Sequence, residues 1–72
     1  MIFATRLVKA RTDAGLSQKD LAKKVGFDRS NITNYENGYN EPTLFNAVCI
    51  ADALGVSIDW LEGRTDCKEV NK

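Results

Sequence analysis

Apolar residues recur along this chain in five short helical stretches separated by glycines. Phe3, Leu7, Ala10 and Ala14 fall three or four positions apart, the spacing that lines one face of a helix. A first helix is therefore expected over residues 3–14, ended by Gly15. Ser17 opens a second. Asp20 stands three residues on as a capping-box partner, and Leu16 and Leu21 have the five-residue spacing of a hydrophobic staple. Leu21, Ala22 and Val25 form its buried stripe, and Gly26 ends it. Asp28 is placed to cap a third helix. Phe27 and Ile32 repeat the staple spacing, Ile32 and Tyr35 supply the inner face, and Gly38 closes it. Only Val25, Gly26, Phe27 and Asp28 separate the two stripes, so these helices must cross and share one corner, as in a helix-turn-helix.

Pro42 and Thr43 open a fourth helix, with Leu44, Ala47, Val48, Ala51 and Leu54 on its inner side and Gly55 at its end. Ser57 caps a short fifth helix. Val56 and Leu61 staple it, Asp59 sits in its first turn where the helix dipole favours an acid, and Trp60 and Leu61 belong to the core. Arg64 to Lys72 shows no apolar period and reads as a polar tail or the start of a linker. The expected architecture is thus all-α, a compact five-helix domain over residues 1–63 with a tail over 64–72.

Composition narrows the chemistry. A chain of 72 residues, 43% apolar, is one globular domain with an economical core. No apolar run approaches the ~18 residues of a membrane span, and no leader-like segment opens the chain. Two cysteines and no histidine cannot make the usual four-ligand zinc site, so no metal and no cofactor are expected. Cys49 reads as a small buried hydrophobe and Cys67 as a free thiol in a reducing compartment, a disulfide between them being the weaker alternative. The net charge is zero but uneven. Residues 1–36 carry seven bases against four acids, and residues 37–72 three bases against six acids. Such asymmetry suits a side facing a polyanion, although ordinary solvated charge explains it as well.

The third helix is more specific. Ser30, Thr33, Asn34 and Asn37 lie at i, i+3, i+4 and i+7, one continuous outer stripe that Arg29 extends at the N-terminal end. None carries negative charge, and asparagine at 31, 34 and 37 is costly in a helix. A helix lying in the DNA major groove has use for such residues. Asn pairs with adenine, Arg with guanine, Thr can touch the thymine methyl, and a carboxylate would meet the phosphate field. The alternative is a solvated polar face that happens to lack acids.

Four stretches and a proline then make a resemblance. RTDAGLSQ (residues 11–18), DLAKKVG (20–26), ITNYENG (32–38), Pro42 and IADALGVSIDWLEG (50–63) stand in order at the right spacings, so residues 7–63 resemble the lambda-repressor-like helix-turn-helix family, of phage repressor and Cro type and including xenobiotic-response-element-like bacterial regulators. The resemblance implies a five-helix domain that binds a two-fold operator in double-stranded DNA as a dimer. By position, Gln18 matches a phosphate-binding residue at the start of the second helix, and Arg29, Ser30, Thr33 and Asn34 match base-reading positions. Asn37, Tyr39 and Asn40 match backbone-contacting ones, turn formation being their alternative role. Arg11 and Glu36 match an ion pair tying the first helix to the third. Glu41 stands where some members carry a base. The family makes its two-fold contact near the fifth helix. There Ile58, the first helical residue after Ser57, points away from the Val56–Leu61 staple and is the expected contact of a weak homodimer strengthened on DNA.

The expected function is a sequence-specific transcription regulator, a repressor, in the cytoplasm of a bacterium and encoded by it or by a phage. The alternative is an antitoxin-like protein-interaction module with secondary DNA binding, which exposed apolar residues such as Phe45 and Ile58 would serve. Enzyme activity is not expected, since no histidine, metal constellation or glycine-rich phosphate loop is present.

Overall fold

The computed structural model describes residues 2–69, which form five helices and, among the described residues, no strand. They are α1 (Ile2–Asp13), α2 (Gln18–Val25), α3 (Arg29–Glu36), α4 (Leu44–Leu54) and α5 (Ile58–Leu61). Among the described residues, no helix is long and apolar enough to cross a membrane. Each helix places one residue wholly out of water at the centre: Leu7, Leu21, Ile32, Ile50 and Leu61. Burying a side chain of this kind is worth about 1.5–3 kcal/mol, so these five are the main anchors of the core. Phe3 meets Tyr35 edge-on, with ring centroids 6.5 Å apart, and so ties α1 to the inner side of α3.

The boundaries follow from caps. At α2 the Asp20 N–H donates to Ser17 Oγ (3.0 Å) and the Ser17 N–H donates back to Asp20 Oδ2 (3.1 Å), a reciprocal capping box. Gly26 takes the left-handed conformation (φ 78°), and the Phe27 N–H closes on the Ala22 carbonyl at 2.9 Å. The chain turns there within a few residues and α3 packs across α2. Asp28 takes extended N-cap geometry, but its side chain makes no capping hydrogen bond. The corner is exposed, and the Asp28 carbonyl accepts from the Asn31 N–H at 3.0 Å.

Further features depart from the sequence reading. Ala14, past the end of α1, is exposed and takes no part in the buried face of Phe3, Leu7 and Ala10. Ile50, not Leu44 or Val48, points into the core, and Leu44 and Phe45 are 75% and 74% exposed. Ala47 and Ala51 are buried as expected, and Leu54 packs at the edge of the core. The tail also lies against the domain as far as Glu69. Arg6 donates to the carbonyls of Trp60 (2.6 Å) and Thr65 (2.8 Å), and its guanidinium sits 5.0 Å from the Trp60 ring centroid. Lys68 approaches the same ring at 5.4 Å and bonds Asp13 at 2.9 Å, while the Ser57 N–H donates to the Lys68 carbonyl at 2.9 Å. Hydrogen bonding from Lys68 holds the Asp13 carboxyl below its usual range. Residues 70–72 of the expected tail, and residue 1, lie outside the described residues. Both cysteines are free thiols, Cys49 half-buried and Cys67 exposed.

The Ser17 backbone N–H, followed by the Ser17 side chain, lowers the Asp20 pKa below the ordinary 3.8. A depressed carboxyl contributes stability above its unfolded pKa and loses it as pH falls through the folded value. The melting-temperature gap between wild type and Asp20→Asn should therefore be constant near neutrality and shrink in acid. Ser17→Ala, which leaves the Asp20 N–H unsatisfied, should cost about 1 kcal/mol, a fall of about 4–8 °C in Tm by thermal melting.

Candidate nucleic-acid interface

The outer face of α3 is built around a buried carboxylate. Arg11, from α1, grips Glu36, the last residue of α3, with two hydrogen bonds, Nε to Oε2 at 2.6 Å and Nη2 to Oε1 at 3.2 Å. Its third nitrogen donates to the Leu16 carbonyl at 2.8 Å, so the same guanidinium also holds the turn leading into α2. The Glu36 side chain keeps 4% of its exposure and that of Arg11 14%, so the pair is largely out of water. The planar, two-pronged guanidinium suits this contact in a way lysine would not.

Gln18 completes the site. Its Nε2 donates to Glu36 Oε1 at 3.0 Å, and its Oε1 accepts from Thr33 Oγ1 at 3.0 Å. An ionised carboxylate only accepts, which fixes which end of the amide faces Glu36. The first residue of α2 is thereby locked to the middle and the C-terminal end of α3. Nε2 carries two hydrogens. One is donated to Glu36.

The remaining expected site residues cluster on the same side. Arg29 and Ser30 are exposed at the start of α3, Thr33 and Asn34 are half-buried at its middle, and Asn37 is exposed at its end. Backbone hydrogen bonds fold the following loop under the helix, from the Asn37 N–H to the Thr33 carbonyl (2.9 Å) and from the Tyr39 N–H to the Asn34 carbonyl (3.0 Å). The Tyr39 side chain stands out of it, 76% exposed, and Asn40 is exposed beside it. Of the acids in this half of the chain, Glu36 is paired with Arg11 and Asp20 with its cap, whereas Asp28, next to Arg29, is exposed and makes no capping hydrogen bond. The surface therefore offers hydrogen-bond donors and acceptors with Arg29 exposed at one end, a combination suited to base edges beside phosphates.

Ile58 lies on another side, half-buried and packed against the core. A groove lined by Val48, Ala51, Val56 and Ile58, with Asp52, Ser57 and Asp59, connects it to α4. The contribution of Gln18 to holding Glu36 and Thr33 was not readable from spacing, because these partners lie 18 and 15 residues away and share no period.

A model of the helix-turn-helix family matches residues 7–61. The chain belongs to that family. Among proteins similar to this helix-turn-helix chain is the cryptic phage CTXphi transcriptional repressor RstR of Vibrio cholerae, 41% identical over 89% of the chain and 57% of the relative. Among solved structures, the restriction-modification controller protein C.AhdI of Aeromonas hydrophila is 38% identical, covering 83% of this chain and 91% of that one, with a TM-score of 0.79. The DNA-binding domain of the P22 C2 repressor is 27% identical, covering 99% and 92%, with a TM-score of 0.84. The chain spans about half the length of the curated relatives it matches. Its five-helix fold is that of the lambda-repressor-like DNA-binding domains.

If the Arg11–Glu36 pair fixes α3, Glu36→Gln or Arg11→Met alone should cost about 3–5 kcal/mol, because each leaves a charge buried without its partner. The double variant should lose far less than the sum of the two. Urea unfolding of all four proteins measures this, and additive losses would show that the two side chains act independently.

Proposed function

We propose that this chain is a sequence-specific, double-stranded-DNA-binding transcription regulator that acts as a repressor, with α3 lying in the major groove. The observation that carries the reading is the acid-free outer face of α3, held against α2 by Glu36 and Gln18. Arg29, Ser30, Thr33 and Asn34 read base edges. Gln18, through its second amide hydrogen, and Asn37, Tyr39 and Asn40 hold the phosphates on either side. The similar RstR is a transcriptional repressor, which supports the direction of regulation. The setting is the cytoplasm of a bacterium, with the gene its own or a phage's.

On a two-fold operator the chain acts as a weak homodimer through the face that joins Ile58 to α4. Such a contact sets two α3 helices about 34–36 Å apart, so that each meets the major groove one turn from the other. Leu44, Phe45 and Val48 give this side more exposed apolar surface than Ile58 alone. The same exposure is the one observation favouring the second reading, an antitoxin-like subunit whose main partner is another protein.

Selection of bound sites from a random duplex library tests the first reading. Asn34→Ala should weaken the preferred site by about 1–3 kcal/mol and relax choice at one base pair, whereas Gln18→Ala should weaken all sites alike. An Asn34→Ala protein that selects the unchanged sequence would refute the base-reading role. For the dimer, Ile58→Lys should abolish cooperativity on a palindrome and keep half-site affinity. A lowered melting temperature with cooperativity intact would place Ile58 in the core alone.

A further inference from the structure

Thr33 is the one member of the α3 outer face whose polar atom is already committed inside the protein. Its hydroxyl lies 3.0 Å from Gln18 Oε1 and 3.1 Å from the Arg29 carbonyl. Both neighbours are acceptors, so the single hydroxyl proton is donated to one or the other. The direction is imposed from a distance. Glu36, gripped by Arg11, accepts the amide N–H of Gln18, and Gln18 is left presenting its oxygen to Thr33. Turning the hydroxyl outward would give up both of these acceptors.

From this we infer that Thr33 reads DNA through its methyl group and not through its hydroxyl, and that the base it faces is a thymine recognised by its 5-methyl. The inference rests on the proposed DNA-reading role of α3. With Oγ1 engaged by Gln18 and by its own helix, the methyl is the part of the side chain that makes no polar contact within the protein. Thymine is the base that offers a methyl in the major groove. Thr33 thus has two separable duties. The methyl selects one base pair, while the hydroxyl keeps Gln18 aimed and so sets affinity for phosphate regardless of sequence.

The test separates these duties. Site selection is run with wild type, Thr33→Ser (hydroxyl without methyl) and Thr33→Val (methyl without hydroxyl), and the wild type is titrated with duplexes carrying thymine or uracil at the assigned pair. Losing the methyl–methyl contact should weaken wild-type binding about fourfold, the worth of one buried carbon. Thr33→Ser should lose the thymine preference and be indifferent to uracil. Thr33→Val should keep the preference and bind selected and scrambled duplexes more weakly by the same factor. Equal binding of thymine and uracil duplexes by the wild type, a measurement that needs no variant to fold, would overturn the assignment. So would relaxed base choice in Thr33→Val, which would mean that the hydroxyl accepts from an amino group. A wild type that selects no sequence would overturn the DNA-reading role as well, whereas one that selects a sequence but ignores the methyl would overturn this assignment alone.

Discussion

A carboxylate that keeps 4% of its side-chain exposure is tolerable in so small a domain only if its oxygens are met by donors, and Glu36 is met by three, two from Arg11 and one from Gln18. Taking an ion out of water costs several kcal/mol, which is recovered only by close, well-aligned partners. A domain of this size is stable by roughly 4–11 kcal/mol in all. Loss of either charge would remove a large part of that. The pair is consequently a fixed point. It joins α1 to the end of α3, and through the Leu16 carbonyl to the turn before α2, so three elements take their positions from one guanidinium.

From that fixed point the polar face is organised outward. Glu36 fixes the Gln18 amide, and Gln18 fixes the Thr33 hydroxyl. Hydrophobic burial of Ile32 and Tyr35 would hold α3 in place but would leave its polar side chains free to rotate. Hydrogen-bond polarity, carried over two contacts, limits what the face can present before a ligand arrives, and so reduces the ordering cost of binding. The opposite end of the molecule uses different means. There Trp60 is flanked by Arg6 and Lys68, and the segment after α5 is tied back to α1 and α5.

The caps at Ser17 and Ser57, the glycine stops and the crossing of α2 and α3 were readable, because each depends on residues within a few positions of one another; the Asp28 side chain makes no capping hydrogen bond. The capping box of Ser17 and Asp20 is a local motif and formed as one. The register of α4 was not readable. LFNAVCIADAL is apolar at most positions, so the stripe through Leu44 and Val48 and the one through Ile50 fit a helical period equally well, and packing against the other helices chose Ile50. The docked tail was missed because Arg6 and Lys68 hold it across more than 50 residues without any apolar pattern. The polar face of α3 was legible as a stripe, but its internal wiring was not, since the Gln18 contacts depend on how two helices cross.

Heteronuclear NMR of the protein titrated with a selected operator duplex tests the central claim most directly, because the two Gln18 side-chain N–H resonances report separately. With one hydrogen held by Glu36 and the other donated to phosphate on binding, one resonance should shift while its sibling stays near its free position. The backbone amides of residues 29–37 should move with the shifting one. Perturbations confined to α4 and α5, with Gln18 and α3 unmoved, would contradict the account.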